Sequence, residues 1–178
     1  MKLIIAEKPS VAKSIASALG ATTRADGYFE GCGSPVATSE CQRHSEAPTE
    51  PAGETGLVVS WCVGHLVSPM DAAGYDVFLL APGKGDAFEN LRRLMARPDV
   101  DTVVNACDAG REGELIFRLV YEMAGCKKPI MRLWISSMED TAIREGFDEL
   151  RPGAEYERTP SGTGRSTGSK RRNITMCA

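Results

Sequence analysis

The 178-residue sequence lacks the features that mark several common classes of protein. No apolar run approaches the roughly 20 residues that span a bilayer, and the apolar run at residues 1–5 is too short for a signal peptide. No C-x-x-C pair occurs among the six cysteines. No G-x-G-x-x-G follows the first apolar run, and this absence argues against a dinucleotide-binding domain. A net charge of −3 argues against a basic surface that grips nucleic acid unaided. We therefore predict a cytoplasmic protein with reduced thiols and no membrane segment.

What is present is an ordinary globular composition with an uneven distribution of charge. Hydrophobic residues make up 42% and charged residues 25% of the chain, enough for one domain with a real core. From residue 158 onward there are five basic residues and no acidic one, which leaves a net charge of −8 on residues 1–157. We predict a domain at residues 1–152, with a loop insertion at 32–56, followed by a disordered basic tail at 153–178.

One stretch, at residues 103–116, changes character twice. It starts as the β-branched run of a buried strand and ends as a helix whose apolar residues recur on one face. The turn between them carries Asp108, Arg111, Glu112 and Glu114. Ligands bind at the carboxyl ends of parallel strands, so these carboxylates are candidates to hold a divalent cation. The alternative is a solvated helix start, where acidic residues are favoured by the helix dipole.

The beginning of the chain has the same order of strand, charged turn and helix. Residues 2–6 form an apolar run, Glu7 and Lys8 follow it, and Pro9 suits the first position of a helix. If the strands at 2–6 and 103–106 are parallel neighbours, Glu7 and Asp108 emerge at one edge of the sheet. This convergence favours a functional site over a solvated helix start.

Other segments predict the remaining sheet and helices. Strands are expected at residues 27–31, 57–66, 77–80 and 130–135, and helices at 88–95 and 137–150, the last introduced by a loose capping box of Ser137 and Asp140. The pattern predicts an α/β fold with a mainly parallel central sheet flanked by helices.

Two C-x-x-H spacings leave a zinc site open as a minor alternative. Cys41 with His44, and Cys62 with His65, have the spacing of one half of such a site, but the second half is missing. His65, at the end of a predicted strand, is as well explained by a structural role as by a ligand contact.

Five segments together resemble the Toprim domain of type IA DNA topoisomerases, and most closely the bacterial topoisomerase III branch. They occur in family order and lie at residues 4–10, 27–31, 61–66, 108–116 and 133–137. Each motif alone is weak, whereas the ordered set is specific. The resemblance implies a Rossmann-like Toprim fold over most of residues 1–157.

The resemblance also implies roles for individual residues. Glu7, Asp108 and Glu112 would form a Mg²⁺ (or Mn²⁺) site. Lys8 and Arg111 would lie near the scissile phosphate of single-stranded DNA with His65 close by, so that Glu7, Lys8 and Arg111 are the expected catalytic residues. In this family a tyrosine of another domain attacks the DNA, and the Toprim carboxylates with their metal assist departure of the 3′ oxygen and religation. Charge stabilisation, positioning and proton transfer at a phosphodiester suit these residue types.

Two departures from the family bear on function. Gly110 stands where the family usually has a second aspartate, and none of the four tyrosines has a context like that of the family nucleophile. We therefore expect a chain that lacks the tyrosine-bearing cleavage domain and is inactive in strand passage by itself. Two alternatives stay open: a stand-alone metal-dependent nuclease or primase-like protein, and a non-catalytic DNA-binding fragment.

Overall fold

The computed structural model describes residues 1–31, 56–72, 75–135 and 137–153. These residues form nine strands and four helices. In chain order they are β1 (Lys2–Ala6), α1 (Pro9–Ala18), β2 (Thr23–Ala25), β3 (Tyr28–Gly31), β4 (Leu57–Trp61), β5 (Val67–Ala72), β6 (Tyr75–Leu80), α2 (Gly85–Ala96), β7 (Thr102–Ala106), α3 (Arg111–Met123), β8 (Ile130–Arg132), α4 (Asp140–Asp148) and β9 (Arg151–Pro152). Apart from residues 56 and 153, the predicted insertion at 32–56 and the predicted tail at 153–178 lie outside the described residues.

Seven of these strands form one sheet in the order β2-β3-β4-β1-β7-β8-β9. The four central strands β4, β1, β7 and β8 are mutually parallel, and antiparallel strands complete both edges. β5 and β6 form a separate antiparallel pair. The prediction of an α/β fold with a mainly parallel sheet is confirmed.

The central strand β1 is buried on both faces, which explains its unbroken apolar sequence. Leu3 and Ile5 face a core built with α2 and α3, whereas Ile4 and Ala6 face a second core built with α1 and α4. Helices cover both faces, and the carboxyl ends of the parallel strands are left to carry polar residues.

Several predicted boundaries are wrong, for local reasons. The strand expected at 57–66 ends at Trp61 and cannot extend to residue 66, because Gly64 adopts a φ of +66° and turns the chain. The strand expected at 130–135 ends at Arg132. The capping box is absent: the residue before α4 is Glu139, and its side chain makes no capping hydrogen bond. The sequence pattern does not predict the strand β5, which contains Pro69. Proline is tolerated in edge strands, and β5 is an edge strand of its two-stranded sheet.

Candidate functional site

The sheet register brings two acidic residues to one edge. Ala6, the last residue of β1, pairs with Trp61 on one side and with Ala106 on the other. Glu7 directly follows β1, and Asp108 follows β7 after the buried Cys107. The expectation that Glu7 and Asp108 emerge at the same edge from parallel neighbouring strands is confirmed.

The ammonium of Lys8 lies between these two carboxylates. Its Nζ atom is 3.6 Å from Glu7 Oε1 and 3.8 Å from Asp108 Oδ2. The Glu7 side chain is 14% exposed, while those of Lys8 and Asp108 are more than half exposed. A single cation at this edge, here the Lys8 ammonium, can therefore contact both carboxylates at once.

Glu112 and His65 form a second pair at the same edge. The Glu112 carboxylate is in the first turn of α3, 3.6 Å from Nε2 of His65, and both side chains are well exposed. His65 reaches this place because the chain turns at Gly64 after β4. Glu112 thus has a partner other than the cation shared by Glu7 and Asp108.

Arg111 is the first residue of α3 and is exposed. Within the described part of the chain, it makes no ion pair with a carboxylate. Its guanidinium is available for an anion such as a phosphate, which fits its fork of donors.

The donor set fits a hard divalent cation through two carboxylates. In the described ranges, no three His, Cys, Asp or Glu side chains form a preassembled metal-binding group. Mg²⁺ characteristically takes only one or two protein carboxylates and keeps several waters. Glu7 and Asp108, which already share one cationic group, meet that requirement, and Glu112 would have to leave His65 to become a third ligand.

The zinc alternative at Cys62 and His65 is not supported by their places in the fold. Cys62 is fully buried in the core, whereas His65 is exposed at the edge. The pair at Cys41 and His44 lies outside the described residues.

Cys107, next to Asp108, is not suited to act as a nucleophile. Its pKa is raised well above the ordinary value, first by a hydrogen bond with the Cys62 thiol and second by burial. Only the thiolate is a strong nucleophile, and the raised pKa keeps the Cys107 thiol protonated at neutral pH. Cys107 therefore serves as a residue of the core.

Sequence reasoning missed a polar network beneath this edge, in which two members are buried and two are partly buried. Its four members join β7, α3 and β8, and they are Asn105, Glu114, Arg118 and Arg132. Arg132 belongs to a strand that the sequence presents as mainly apolar, so its function could not be read from pattern alone. The one available signal was a charged residue inside a predicted buried strand.

Gly113 allows α3 to approach the segment that carries Asp108. A Cβ atom at this position would lie 2.3 Å from the Asp108 carbonyl oxygen and 2.8 Å from the Asp108 nitrogen. Gly113 is the buried residue of the first turn of α3, and this position therefore has room only for glycine. Gly110, by contrast, has open space around the corresponding point.

Comparisons of the sequence with known proteins identify a matching family and similar relatives. A Toprim domain model matches residues 2–138. The chain is 35% identical over 174 residues to DNA topoisomerase 3 of Shouchella clausii (strain KSM-K16), an alignment that covers 88% of this chain and 21% of that protein. It is also 35% identical over 173 residues to DNA topoisomerase 3 of Bacillus subtilis (strain 168), covering 87% and 21%.

A solved structure is similar in fold. Full-length topoisomerase I from Thermotoga maritima superposes with a TM-score of 0.50 at 20% sequence identity, over 84% of this chain and 21% of that one. The chain spans about a fifth of the length of the curated relatives that it matches.

Proposed function

The chain belongs to the Toprim domain family, and from that premise we propose that it is the metal-binding part of a type IA topoisomerase III-like enzyme. Such an enzyme cleaves and religates single-stranded DNA to relax supercoils or to decatenate. The observation that carries the proposal is the meeting of Glu7 and Asp108 around one cationic group at the ends of parallel neighbouring strands.

Each residue at the edge has a physical role in this proposal. Glu7 and Asp108 bind Mg²⁺ or Mn²⁺, with Glu112 as the third ligand. When bound, that ion stabilises the negative charge that develops at the phosphodiester. Glu7, the least exposed of the three carboxylates, acts as a catalytic residue through the ion that it would hold.

The cationic residues position the nucleic acid. Lys8 and Arg111 pair with phosphate oxygens of a single strand, Arg111 as a fork and Lys8 as a point charge. His65 contacts the same strand once Glu112 turns to the metal. The covalent hold on DNA comes, in this proposal, from a tyrosine of the longer protein outside this chain.

The metal site is tested by following backbone amide shifts during a Mg²⁺ titration. We expect residues around Glu7 and the segment 108–112 to shift together and to saturate. Asp108→Asn should weaken binding, whereas Asp140→Asn, a matched change at the start of α4, should not. Shifts that scatter over the surface, or that never saturate, would contradict the site.

An end-labelled single strand distinguishes the remaining candidate functions. With Mn²⁺ present, we expect binding without cleavage. Cleavage that disappears in Asp108→Asn would replace the proposal with a stand-alone metal-dependent nuclease. A chain that binds the strand but no metal would be a non-catalytic DNA-binding fragment.

A further inference from the structure

Arg132 is a charged residue in the interior of the protein. It ends β8, pairs with Asn105 of β7 in the sheet, and is only 3% exposed. In the part of the chain that the structure describes, only Ser60 and Asn105 are comparably buried polar residues. A buried guanidinium is costly unless its donors are satisfied, so the identity of its partners is informative.

The close hydrogen bonds of Arg132 go to the main chain. Its Nη2 donates to the carbonyl of Cys107 at 2.8 Å and to the carbonyl of Asp108 at 3.0 Å. Both carbonyls belong to the segment that leads from β7 to α3. Its Nη1 is 3.8 Å from Glu114 Oε2 and has no hydrogen-bond partner, so the contact with the carboxylate is the looser one.

Glu114 is held in place by groups on two other sides. It accepts a hydrogen bond from Asn105 Nδ2 at 2.7 Å and one from Arg118 Nε at 2.8 Å. Asn105 Oδ1 in turn accepts from the Cys107 N–H at 3.0 Å. The network therefore fixes the N–H and the carbonyl of Cys107 and also the carbonyl of Asp108.

Stability alone is a poor explanation for this arrangement. Buried ionic groups are often no more stabilising than apolar residues of the same volume. What an apolar side chain cannot do is hold two successive carbonyls in fixed directions. Those carbonyls flank the Cα atom from which the Asp108 side chain departs.

We infer that Arg132 is a positioning residue, which orients Asp108 toward the shared cation site by clamping the carbonyls of Cys107 and Asp108, with Glu114 and Asn105 as its supports. The inference rests on the proposed function, because it assigns the metal role of Asp108. Groups that orient ligands in this way typically change metal affinity by 10- to 100-fold when they are removed.

The test compares Arg132→Met with Arg144→Met. Arg144 is an exposed arginine of α4 whose Nε donates to the Ala18 carbonyl at 2.9 Å, away from the edge. Two quantities are measured on each folded variant: hydrogen exchange of the amides in residues 105–112 without metal, and the affinity for Mn²⁺ by calorimetry. We expect Arg132→Met to exchange faster in this segment and to bind Mn²⁺ about tenfold more weakly. Arg144→Met should change only the melting temperature.

The two measurements fail independently. If the amides of residues 105–112 exchange in Arg132→Met as slowly as in the parent protein, Arg132 does not clamp this segment. If they exchange faster but the Mn²⁺ affinity is unchanged, the clamp exists but does not affect the metal site. A parent protein that binds no Mn²⁺ contradicts the proposed function, and the exchange data then decide the clamp alone. If Arg132→Met does not fold, Glu114→Gln keeps the shape while weakening the support, and should shift both quantities in the same direction by less.

Discussion

Lys8 places a positive charge between two carboxylates that are themselves proposed metal ligands. In the metal-free protein this ammonium offsets the mutual repulsion of Glu7 and Asp108. A divalent cation that binds both carboxylates has to take over the same position. Lys8 therefore competes with the metal, although in the proposed function it also pairs with the DNA phosphate.

Replacing Lys8 by methionine should accordingly tighten metal binding and weaken DNA binding. An exposed ion pair is worth about 0.5–1 kcal/mol, so we expect Mn²⁺ affinity to rise about two- to fivefold. Calorimetric titration measures the first effect, and binding of an oligonucleotide measures the second. Lys13→Met, a lysine change on α1 outside the ion pairs at this edge, should change neither. Weaker Mn²⁺ binding by Lys8→Met would show that the ammonium does not occupy the metal position.

Gly113→Ala tests the close approach of α3 to Asp108. The added methyl group would collide with backbone atoms, which cannot rotate away as a side chain can. We expect a loss of about 1–3 kcal/mol in the free energy of unfolding, measured by denaturant titration. Gly85→Ala is the matched change at the first residue of α2, where the new Cβ would meet only Leu80 Cδ2 at 3.9 Å. That variant should be as stable as the parent or slightly more stable, by about 0.4–1 kcal/mol.

Among the secondary-structure elements, α3 begins without a capping side chain, because its N-cap residue is glycine. Gly110 is the N-cap residue, its φ of −108° and ψ of 169° suit any residue, and nothing lies within 4 Å of the point that a Cβ atom would occupy. By family resemblance an aspartate is expected here. Asparagine and aspartate both cap helices well, but only aspartate adds a negative charge near the cation.

The pair Gly110→Asp and Gly110→Asn therefore separates capping from metal binding. We expect Gly110→Asp to bind Mn²⁺ about tenfold more tightly, or about 1.4 kcal/mol, and Gly110→Asn to bind as the parent does. Both should gain a few tenths of a kcal/mol from capping without metal, an effect that carboxylate repulsion reduces in the aspartate variant. Calorimetry and thermal melts in chelator give the two quantities. Equal affinities of the two variants would mean that residue 110 does not face the ion.

Tyr121, near the end of α3, should make the folding stability of the protein fall at alkaline pH. The Tyr121 hydroxyl donates to the Lys128 carbonyl at 2.6 Å, and burial, followed by the neighbouring Cys126, raises the Tyr121 pKa from 10.0 to about 12. The unfolded chain thus loses this proton first, so that stability is complete below pH 10 and falls between pH 10 and 12. Tyr121→Phe should cost about 1 kcal/mol at neutral pH and should reduce this alkaline loss. Melts of both proteins across this pH range check it.

The sequence predicts those elements that neighbouring residues determine, and it misses contacts between residues that are far apart in the chain. The strand at Lys2–Ala6 and the helix at Pro9–Ala18 follow from apolar runs and from one proline, and the sequence predicts both. The meeting of Glu7 with Asp108 follows from the parallel-sheet rule. The clamp by Arg132 does not, because its bonds join residues 25 positions apart and leave no periodic trace in the sequence. The pairing of Glu112 with His65 likewise has no trace in the spacing, although the family resemblance implies that His65 lies close to the site.

At the scale of the whole molecule, the edge offers binding groups for metal and phosphate, whereas the neighbouring Cys107 is buried and its pKa is raised. Strand passage needs a covalent hold on one DNA end and a gate through which the other strand moves. We therefore expect no relaxation of supercoiled plasmid by this chain, with or without Mg²⁺. Agarose gels of plasmid treated with the purified protein check this. Relaxation that is lost in Asp108→Ala would contradict the prediction.

The position of β1 in the middle of the sheet has a consequence for how the protein is made. This strand leaves the ribosome before either of its partners, since it pairs with Leu57–Trp61 on one side and with Thr102–Ala106 on the other, both in parallel register. Its backbone cannot be paired along both edges until the chain has been synthesised past residue 106. Parallel pairings over such sequence distances close slowly, and exposed apolar strands aggregate. The acidic edge is therefore assembled only after the chain has been translated past β7, which carries Asp108 at its end.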